Sequence, residues 1–364
     1  MKIMRTAPKF DWKSPGDLGK FLCMLIVGAV AGGLARWVDL PLPFLVGGLL
    51  STICLITLAN SRSISLSYPK PLRMCFVALI GTLIGSTVSP ELAKSVPNLT
   101  LSLLAVVVYV IVAHYLGYVI FRTFGKYDRV TAFYAAMPGG LIEAVELGTK
   151  GGGNVVVLTI SHFMRVLFVV IVVPLLFWMG SGEVVGSAAG QGFELGLFRW
   201  KDLSIILLIA FFGLMAGRMV RMPAGHLIGP MLVSGLCHGT GLLDTIAPLW
   251  LLYVAQLFVG VALGAQLSGT FGSSYVNIVK TSLLATSLML CLSAAMAWSI
   301  VSVTNINFSA LFLSFAPGGV SEMGLIALSL GISPMMVAAH HVFRIFVTVL
   351  IAAVTTKAAS RWLS

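Results

Sequence analysis

Long apolar runs recur from one end of this chain to the other, and no other feature restricts its fold as strongly. Runs of about 18 or more residues with few charges are typical of helices that cross a lipid bilayer. Of the 364 residues, 58% are hydrophobic and 10% are charged, whereas about 25% of the residues in a soluble domain are charged. The sequence therefore predicts an all-α polytopic membrane protein.

The candidate membrane segments form two groups of six, separated by a polar, Gly-rich stretch. We assign residues 1–180 to a first transmembrane repeat, residues 181–202 to a linker and residues 203–364 to a second repeat. The segments of the first group are residues 18–37, 43–59, 72–89, 98–121, 130–148 and 154–179. Those of the second group are residues 203–220, 225–242, 249–267, 280–303, 308–331 and 334–356.

The two groups are related by an internal duplication with an offset of 179 residues. The aligned pairs are Pro138-Gly139-Gly140 with Pro317-Gly318-Gly319, Glu143 with Glu322, His162 with His341, and Arg165 with Arg344. Aligned leucines would mean little in a membrane protein, but Pro, Gly, Glu, His and Arg rarely coincide by chance. The sequence therefore predicts two homologous repeats.

The relative orientation of the repeats depends on how often each one crosses the membrane. Six crossings would give parallel repeats and five would give inverted ones. The Pro-Gly-Gly segment determines the number, because it either crosses as a broken helix or re-enters on one side. The distribution of Lys and Arg among the connections favours re-entry, because cytoplasmic connections carry the excess of these residues. We expect inverted repeats of five to six helices. A cytoplasmic N-terminus is expected from Lys2, Arg5, Lys9, Lys13 and Lys20.

Each Pro-Gly-Gly triplet should break its helix, because Pro lacks an N–H group and Gly has low helix propensity. Broken backbone at membrane depth is tolerated only where it is buried in protein or lines a cavity. The half-helix that follows aims free N–H groups into that cavity. Interruptions at equivalent positions of two halves indicate the substrate site of a transporter. The predicted binding positions are Pro138, Gly139, Gly140, Pro317, Gly318 and Gly319.

Glu143 and Glu322 fall three residues after the last Gly, in the first turn of each half-helix. One interpretation is that each carboxylate caps its helix and complements the helix dipole. The other is that each takes up the proton or ion that drives transport, because carboxylates at membrane depth are costly and usually functional. The two roles are compatible.

His162 and Arg165 share a helix face, as do His341 and Arg344, and both pairs are expected near the membrane centre. Arg keeps its proton there and therefore needs an anionic partner. Two alternatives stay open: static ion pairs of the arginines with Glu143 and Glu322, or a small anion held by Arg and the half-helix N-termini. The histidines are candidates for proton relay or for ordinary core hydrogen bonds.

The net charge of +11 is expected to orient the chain and to meet anionic lipid headgroups, and no nucleic acid is expected as a partner. Five cysteines lie within apolar segments without a CxxC pair, so we expect small buried side chains and no disulfide frame or metal site. No cofactor motif is present. The cysteines are Cys23, Cys54, Cys75, Cys237 and Cys291.

The duplicated motifs resemble a known family. The PGG-x-x-E segments, the downstream H-x-x-R, and the earlier series of Arg36, Pro41 and Gly47 are similar to the Gram-negative AbrB-duplication membrane proteins. These proteins are often labelled ammonia monooxygenases or regulators. The resemblance covers nearly the whole chain and implies a multi-pass protein of the bacterial inner membrane.

A looser resemblance is to cation/proton antiporters and bile-acid symporters. Residues 40–47, Leu-Pro-Leu-Pro-Phe-Leu-Val-Gly, and residues 76–81, from Phe76 to Gly81, are similar in style to helix corners of that class. This likeness implies inverted repeats and alternating access, although the acidic pair of the antiporters is not found.

The leading hypothesis is a secondary transporter of a small anionic solute coupled to protons or Na⁺, not an enzyme, with a homodimer as a possible assembly. A metal-dependent monooxygenase is the alternative that the family label suggests. It would need clustered His and carboxylate ligands, and only a long-range assembly of His162, His341 and the two glutamates offers one. A membrane regulator is the third hypothesis.

Overall fold

In the computed structural model, the described residues are 14–61, 64, 66–88, 99–181, 199–220, 222, 224–266 and 275–358, and they form helices without strands. The prediction of an all-α protein is confirmed. Most of the predicted linker lies outside the described residues, as do Lys2, Arg5, Lys9 and Lys13.

Seven described helices come from each half of the chain. Those of the first half are α1 (Pro15–Trp37), α2 (Pro43–Ser61), α3 (Lys70–Gly85), α4 (Leu99–Thr123), α5 (Arg129–Ala135), α6 (Leu141–Lys150) and α7 (Val155–Ser181). Those of the second half are α8 (Trp200–Met219), α9 (Gly225–Gly239), α10 (Leu249–Gln266), α11 (Val276–Thr304), α12 (Phe308–Phe315), α13 (Val320–Ser329) and α14 (Pro334–Ala358). Seven are long and apolar enough to cross a membrane, namely α1, α4, α7, α8, α10, α11 and α14. The chain is therefore a multi-pass membrane protein.

The helices form two compact units, and each unit takes helices from both halves of the sequence. We call the first the six-helix unit; it contains α1, α2, α3, α8, α9 and α10, with the end of α7 from Val173 and residues 328–331. We call the second the broken-helix unit; it contains α4, α5, α6, α11, α12, α14, α7 up to Val172 and α13 up to Ala327. The division into compact units thus differs from the division into repeats.

In the six-helix unit, α10 packs against α2 through Gly260 and Gly264. A Cβ atom added at Gly264 would lie 2.7 Å from the carbonyl oxygen of Leu49, and one added at Gly260 would overlap the carbonyl oxygen of Leu45. The two backbones therefore touch directly, as small residues permit. Because residue numbers rise together along the contact, α2 and α10 run parallel.

The equivalent contact joins α3 to α9. Added Cβ atoms at Gly81 and Gly85 would overlap the carbonyl oxygens of Leu227 and Met231 respectively, so these helices also run parallel with their backbones in contact. The glycine pairs of α3 and α10 thus allow close helix packing in the six-helix unit.

In the broken-helix unit, α4 and α11 occupy equivalent positions in the two halves and pack antiparallel. Near their middles, the Tyr109 hydroxyl donates to the carbonyl oxygen of Met289 over 3.4 Å. Sixteen residues after Tyr109, the carbonyl oxygen of Gly125 accepts from Asn277 Nδ2 over 3.3 Å. The partner number falls as the α4 number rises, which defines the antiparallel direction.

Helices α5 and α6 form a hairpin whose tip is the first Pro-Gly-Gly triplet. Gly140 adopts φ = 63° and ends the break, which a residue without Cβ does at low cost. The backbone N–H of Asn154, just beyond α6, donates to Thr131 Oγ1 at the start of α5 over 2.8 Å. The hairpin therefore begins and ends at the same end of the broken-helix unit. The second triplet, Pro317-Gly318-Gly319, likewise separates α12 from α13.

The glycine contacts yield a stability prediction. Gly264→Ala should lower the free energy of unfolding by about 1–3 kcal/mol, because the added methyl group overpacks the α2–α10 contact. The matched control is Gly33→Ala in α1, where nothing lies within 4 Å of an added Cβ and where Ala favours the helix. Thermal unfolding of the detergent-purified protein measures both, and equal melting temperatures for the two variants would contradict the packing.

Candidate functional site

The first break is held by two side chains of α7. The backbone carbonyl groups at the end of a helix lack partners within it. His162 Nε2 donates to the carbonyl oxygen of Tyr134 over 2.9 Å, and Arg165 Nη1 donates to the carbonyl oxygen of Met137. Both side chains are buried. The predicted pair of His and Arg on one helix face therefore satisfies the carbonyl end of α5 and the break itself.

The second break is held in the same way by α14. His341 Nε2 donates to the carbonyl oxygen of Leu313 over 2.9 Å. Arg344 donates to three carbonyl oxygens, those of Phe315 (3.1 Å), Ala316 (2.5 Å) and Gly318 (2.8 Å). In both halves, His and Arg each bond to a carbonyl 28 residues earlier in the chain.

The positive charges of Arg165 and Arg344 are not paired with carboxylates in the part of the chain that the structure describes. The ion pairs found there include Lys20–Asp17, Lys150–Glu146 and Arg199–Asp202, and none involves Arg165 or Arg344. The alternative of static bridges from the arginines to Glu143 and Glu322 is therefore wrong for this structure. The negative ends of the α5 and α12 dipoles, to which the guanidinium groups bond, supply the compensation instead.

Arg344 lies beside both breaks. Besides its bond to Gly318, its Cγ atom would lie 3.6 Å from a Cβ atom added at Gly139, and Thr348 Oγ1 would lie 3.2 Å from the same atom. Arg165 bonds to the carbonyl oxygen of Met137, two residues before Gly139, so both arginine side chains lie at the first break. The structure thus brings the two predicted breaks and the two predicted arginines together within the broken-helix unit.

Glu143 and Glu322 both fold back toward the Gly that precedes their helix. Glu143 Oε2 would lie 3.2 Å from a Cβ atom added at Gly140, and Glu322 Oε2 would overlap one added at Gly319. A carboxylate in this position complements the N-terminal end of the helix dipole. The two differ in exposure: Glu322 is 3% exposed, whereas Glu143 is only half-buried.

Three buried side chains near the breaks were missed by the sequence reasoning as site residues. His114 of α4 donates from Nε2 to the carbonyl oxygen of Phe133 over 2.9 Å. His340 bonds to Ser102 Oγ over 2.9 Å. Tyr109 is fully buried, and the centre of its ring lies 5.8 Å from that of Phe315 at the end of α12. The available signal was their polarity in the middle of apolar helices, which by itself does not say which neighbour each would meet.

Several polar atoms at the breaks have no hydrogen-bond partner among the described residues. They are His162 Nδ1, Arg165 Nε and Arg344 Nε. Such buried atoms are normally paired with protein, water or a ligand. Arg165 is the less saturated arginine, because it bonds to one carbonyl oxygen while Arg344 bonds to three.

Across the described residues, no three His, Cys, Asp or Glu side chains lie together as metal ligands do. The expected burial of the cysteines is wrong for four of the five, which lie on exposed helix faces where lipid can accommodate a small apolar thiol. The exposed cysteines are Cys23, Cys54, Cys75 and Cys291, and Cys237 is half-buried.

The fold defines a multi-pass helical membrane protein, and comparison with known proteins agrees with the resemblance seen in the motifs. A family model described as "Transition state regulatory protein AbrB" matches residues 44–360, so the chain belongs to the AbrB family. It is 26% identical to "Uncharacterized protein YhjN" of Bacillus subtilis over 93% of this chain and 92% of that protein. It is 23% identical to "Putative regulator AbrB" of Escherichia coli over 89% of this chain and 91% of that protein.

The unequal bonding of the two arginines yields a second prediction. Arg344→Gln should lower the melting temperature of the purified protein more than Arg165→Gln does, since each buried carbonyl left without a donor costs about 1–3 kcal/mol. Arg218→Gln, at an exposed position of α8, is the control and should change the melting temperature little. Equal losses for Arg165→Gln and Arg344→Gln would show that the capping bonds do not set the difference.

Proposed function

We propose that this protein is a secondary transporter of a small anionic solute, and not an enzyme, in the bacterial inner membrane. The observation that carries the proposal is the position of the buried Arg344 side chain, whose Cγ lies beside the first break and whose guanidinium group bonds to the second. No carboxylate is paired to either arginine in the described residues. Paired interruptions of this kind mark transporter substrate sites.

An anion is the ligand that this arrangement favours. Both arginine side chains lie at the first break, because Arg165 bonds to the carbonyl oxygen of Met137 and Arg344 lies beside Gly139. Arg does not release its proton, so the two positive charges repel each other. The half-helices α6 and α13 begin at the same breaks and add the positive ends of their dipoles. A small anion bound between the breaks would offset both contributions, with Pro138 to Gly140, Pro317 to Gly319 and the two arginines around it.

Coupling to protons or Na⁺ is assigned to Glu143 and Glu322. Each carboxylate lies at the first turn of a half-helix beside the proposed anion site, so its charge changes the electrostatic environment of the bound solute. His162 and His341 are proposed to contribute to proton movement at the same breaks.

Inverted repeats are supported by two features of the broken-helix unit. Helices α4 and α11 are equivalent in the two halves, long enough to span a membrane, and antiparallel. The α5–α6 hairpin returns to the end from which it started, which leaves five crossings in the first half. An odd number of crossings inverts the second half. Together with the basic residues before α1, this gives a cytoplasmic N-terminus.

The family description and the name of the Escherichia coli relative mention regulation. We propose that any regulatory effect follows indirectly from transport. The proposed partners are the solute, the coupling ion, membrane lipids and a second copy of the chain, without nucleic acid.

The ligand class can be tested by thermal shift. Small organic anions, screened at two pH values with amino acids and inorganic cations for comparison, should include a stabilising ligand. At a concentration of about 100 times its Kd, a ligand adds about 2.7 kcal/mol to the free energy of unfolding. Glu143→Gln and Glu322→Gln should reduce both the shift and uptake of that anion into proteoliposomes, because the coupling charge is lost.

Asp244→Asn is the control, since Asp244 is an exposed carboxylate of the six-helix unit, away from the breaks. It should retain both binding and uptake. Full uptake by Glu143→Gln and Glu322→Gln together would refute the coupling assignment, and stabilisation by cations alone would refute the anionic substrate.

The orientation of the repeats is tested at the equivalent exposed residues Lys126 and Asn305, which follow α4 and α11. In a chain whose native cysteines are replaced by Ser, Lys126→Cys should react with a membrane-impermeant thiol reagent only in inside-out vesicles. Asn305→Cys should react only in right-side-out vesicles. Labelling of both variants from one side would mean parallel repeats.

A further inference from the structure

Helices α6 and α13 are equivalent in sequence but differ in exposure. In α6, only Ala144 and Gly148 are buried, whereas every residue of α13 is buried. Ile142 is 66% exposed, and its equivalent Ser321 is 8% exposed. One of the two breaks is therefore flanked by an accessible helix and the other by a covered one.

The accessible face of α6 carries charge. Glu143, Glu146 and Lys150 follow one another at spacings of three and four residues and so share one face of the helix. Glu146 and Lys150 form a 2.7 Å ion pair, with 60% and 69% of their side chains exposed. The equivalents of Glu146 and Lys150 in α13 are Leu325 and Ser329, so the polar stripe exists in one half only.

A groove runs along this face of α6. Its volume is about 500 Å³, and it is lined by α6 and by Thr159 of α7. One water molecule occupies about 30 Å³ in the liquid, so the groove has room for a small solute with its water. The apolar side chains that line it are Leu141, Ile142 and Val145.

Water is a more suitable occupant of this groove than lipid. Ionisable side chains within membrane segments usually face a water-filled cavity or the protein interior, because hydrocarbon does not solvate them. The ten residues of α6 rise about 15 Å along the helix axis. That length reaches from Lys150, at the base of the hairpin, to the break at its tip. It is about half the thickness of a hydrocarbon core, which is roughly 30 Å.

We propose that the groove along α6 is a water-filled entrance through which the solute reaches the break, and that the equivalent entrance along α13 is closed in this conformation. The proposal rests on the proposed function for the identity of the solute. With the N-terminus in the cytoplasm, the base of the α5–α6 hairpin, at the opposite end of α6 from the break, lies on the cytoplasmic side of the membrane. The entrance therefore opens toward the cytoplasm. The groove combines apolar side chains with the ion pair of Glu146 and Lys150, and its volume admits a small solute.

The test measures the reactivity of single cysteines in a chain whose five native cysteines are replaced by Ser. Ile142→Cys and Thr149→Cys report on the groove, Ser321→Cys and Leu328→Cys are their equivalents in α13, and Leu104→Cys is a control on an exposed apolar face of α4. A charged, membrane-impermeant methanethiosulfonate is applied to inside-out and right-side-out vesicles. The melting temperature of each variant verifies that it is folded.

We expect Ile142→Cys and Thr149→Cys to react from the cytoplasmic side at least tenfold faster than Leu104→Cys. Ser321→Cys and Leu328→Cys should stay unreactive from both sides. A reaction of Ile142→Cys as slow as that of Leu104→Cys would place the face in lipid and overturn the proposal. Equal reactivity of the α6 and α13 positions would overturn the one-sided opening. No solute is needed, so a failure to find any transported anion would refute the proposed function without changing these rates.

Discussion

The structure depends on how the carbonyl groups of two broken helices are satisfied away from water. A helix that stops within a membrane leaves carbonyl oxygens without partners, and each unpaired group is costly in a medium of low dielectric constant. Here His and Arg from the following long helix supply the missing donors, through His162 and Arg165 in one half and His341 and Arg344 in the other. The same bonds place each guanidinium group at the negative end of a helix dipole. Break and cation therefore stabilise each other, and removing either leaves the other uncompensated.

The sequence was sufficient to predict the helical class, the positions of both breaks and the shared face of His and Arg, because Pro, Gly and helical spacing are local properties. It left the partner of the arginines open, since a carboxylate and a helix end both attract a guanidinium group, and only the tertiary structure distinguishes them. It also gave no indication that Glu143 and Glu322 differ in exposure. The duplication predicts equal environments, whereas packing around α6 and α13 makes them unequal.

The two compact units are held together by different physical means. In the six-helix unit, glycines such as Gly81 and Gly260 bring backbones into contact across the two halves, and such contacts depend on shape alone. In the broken-helix unit, buried hydrogen bonds from charged and aromatic side chains dominate around the breaks. The six-helix unit also buries polar side chains, such as Gln256 and Thr52, so polar groups are not restricted to the breaks. What distinguishes the broken-helix unit is that buried cationic side chains bond directly to interrupted backbone, as Arg165 and Arg344 do.

The hydrogen bonds also distinguish His162 from His341, which occupy equivalent positions in the two aligned halves of the sequence. His341 uses both ring nitrogens: Nε2 donates to Leu313, and Nδ1 accepts from Arg344 Nη2 over 2.8 Å. A proton added to Nδ1 would remove that acceptor and place a second positive charge against the guanidinium group. His162 Nδ1, by contrast, has no partner among the described residues, and Arg165 bonds to the carbonyl oxygen of Met137 rather than to this histidine. The two breaks are therefore held by different networks. At the second break His341 keeps Arg344 in position, whereas at the first break His162 and Arg165 each bond to the backbone separately.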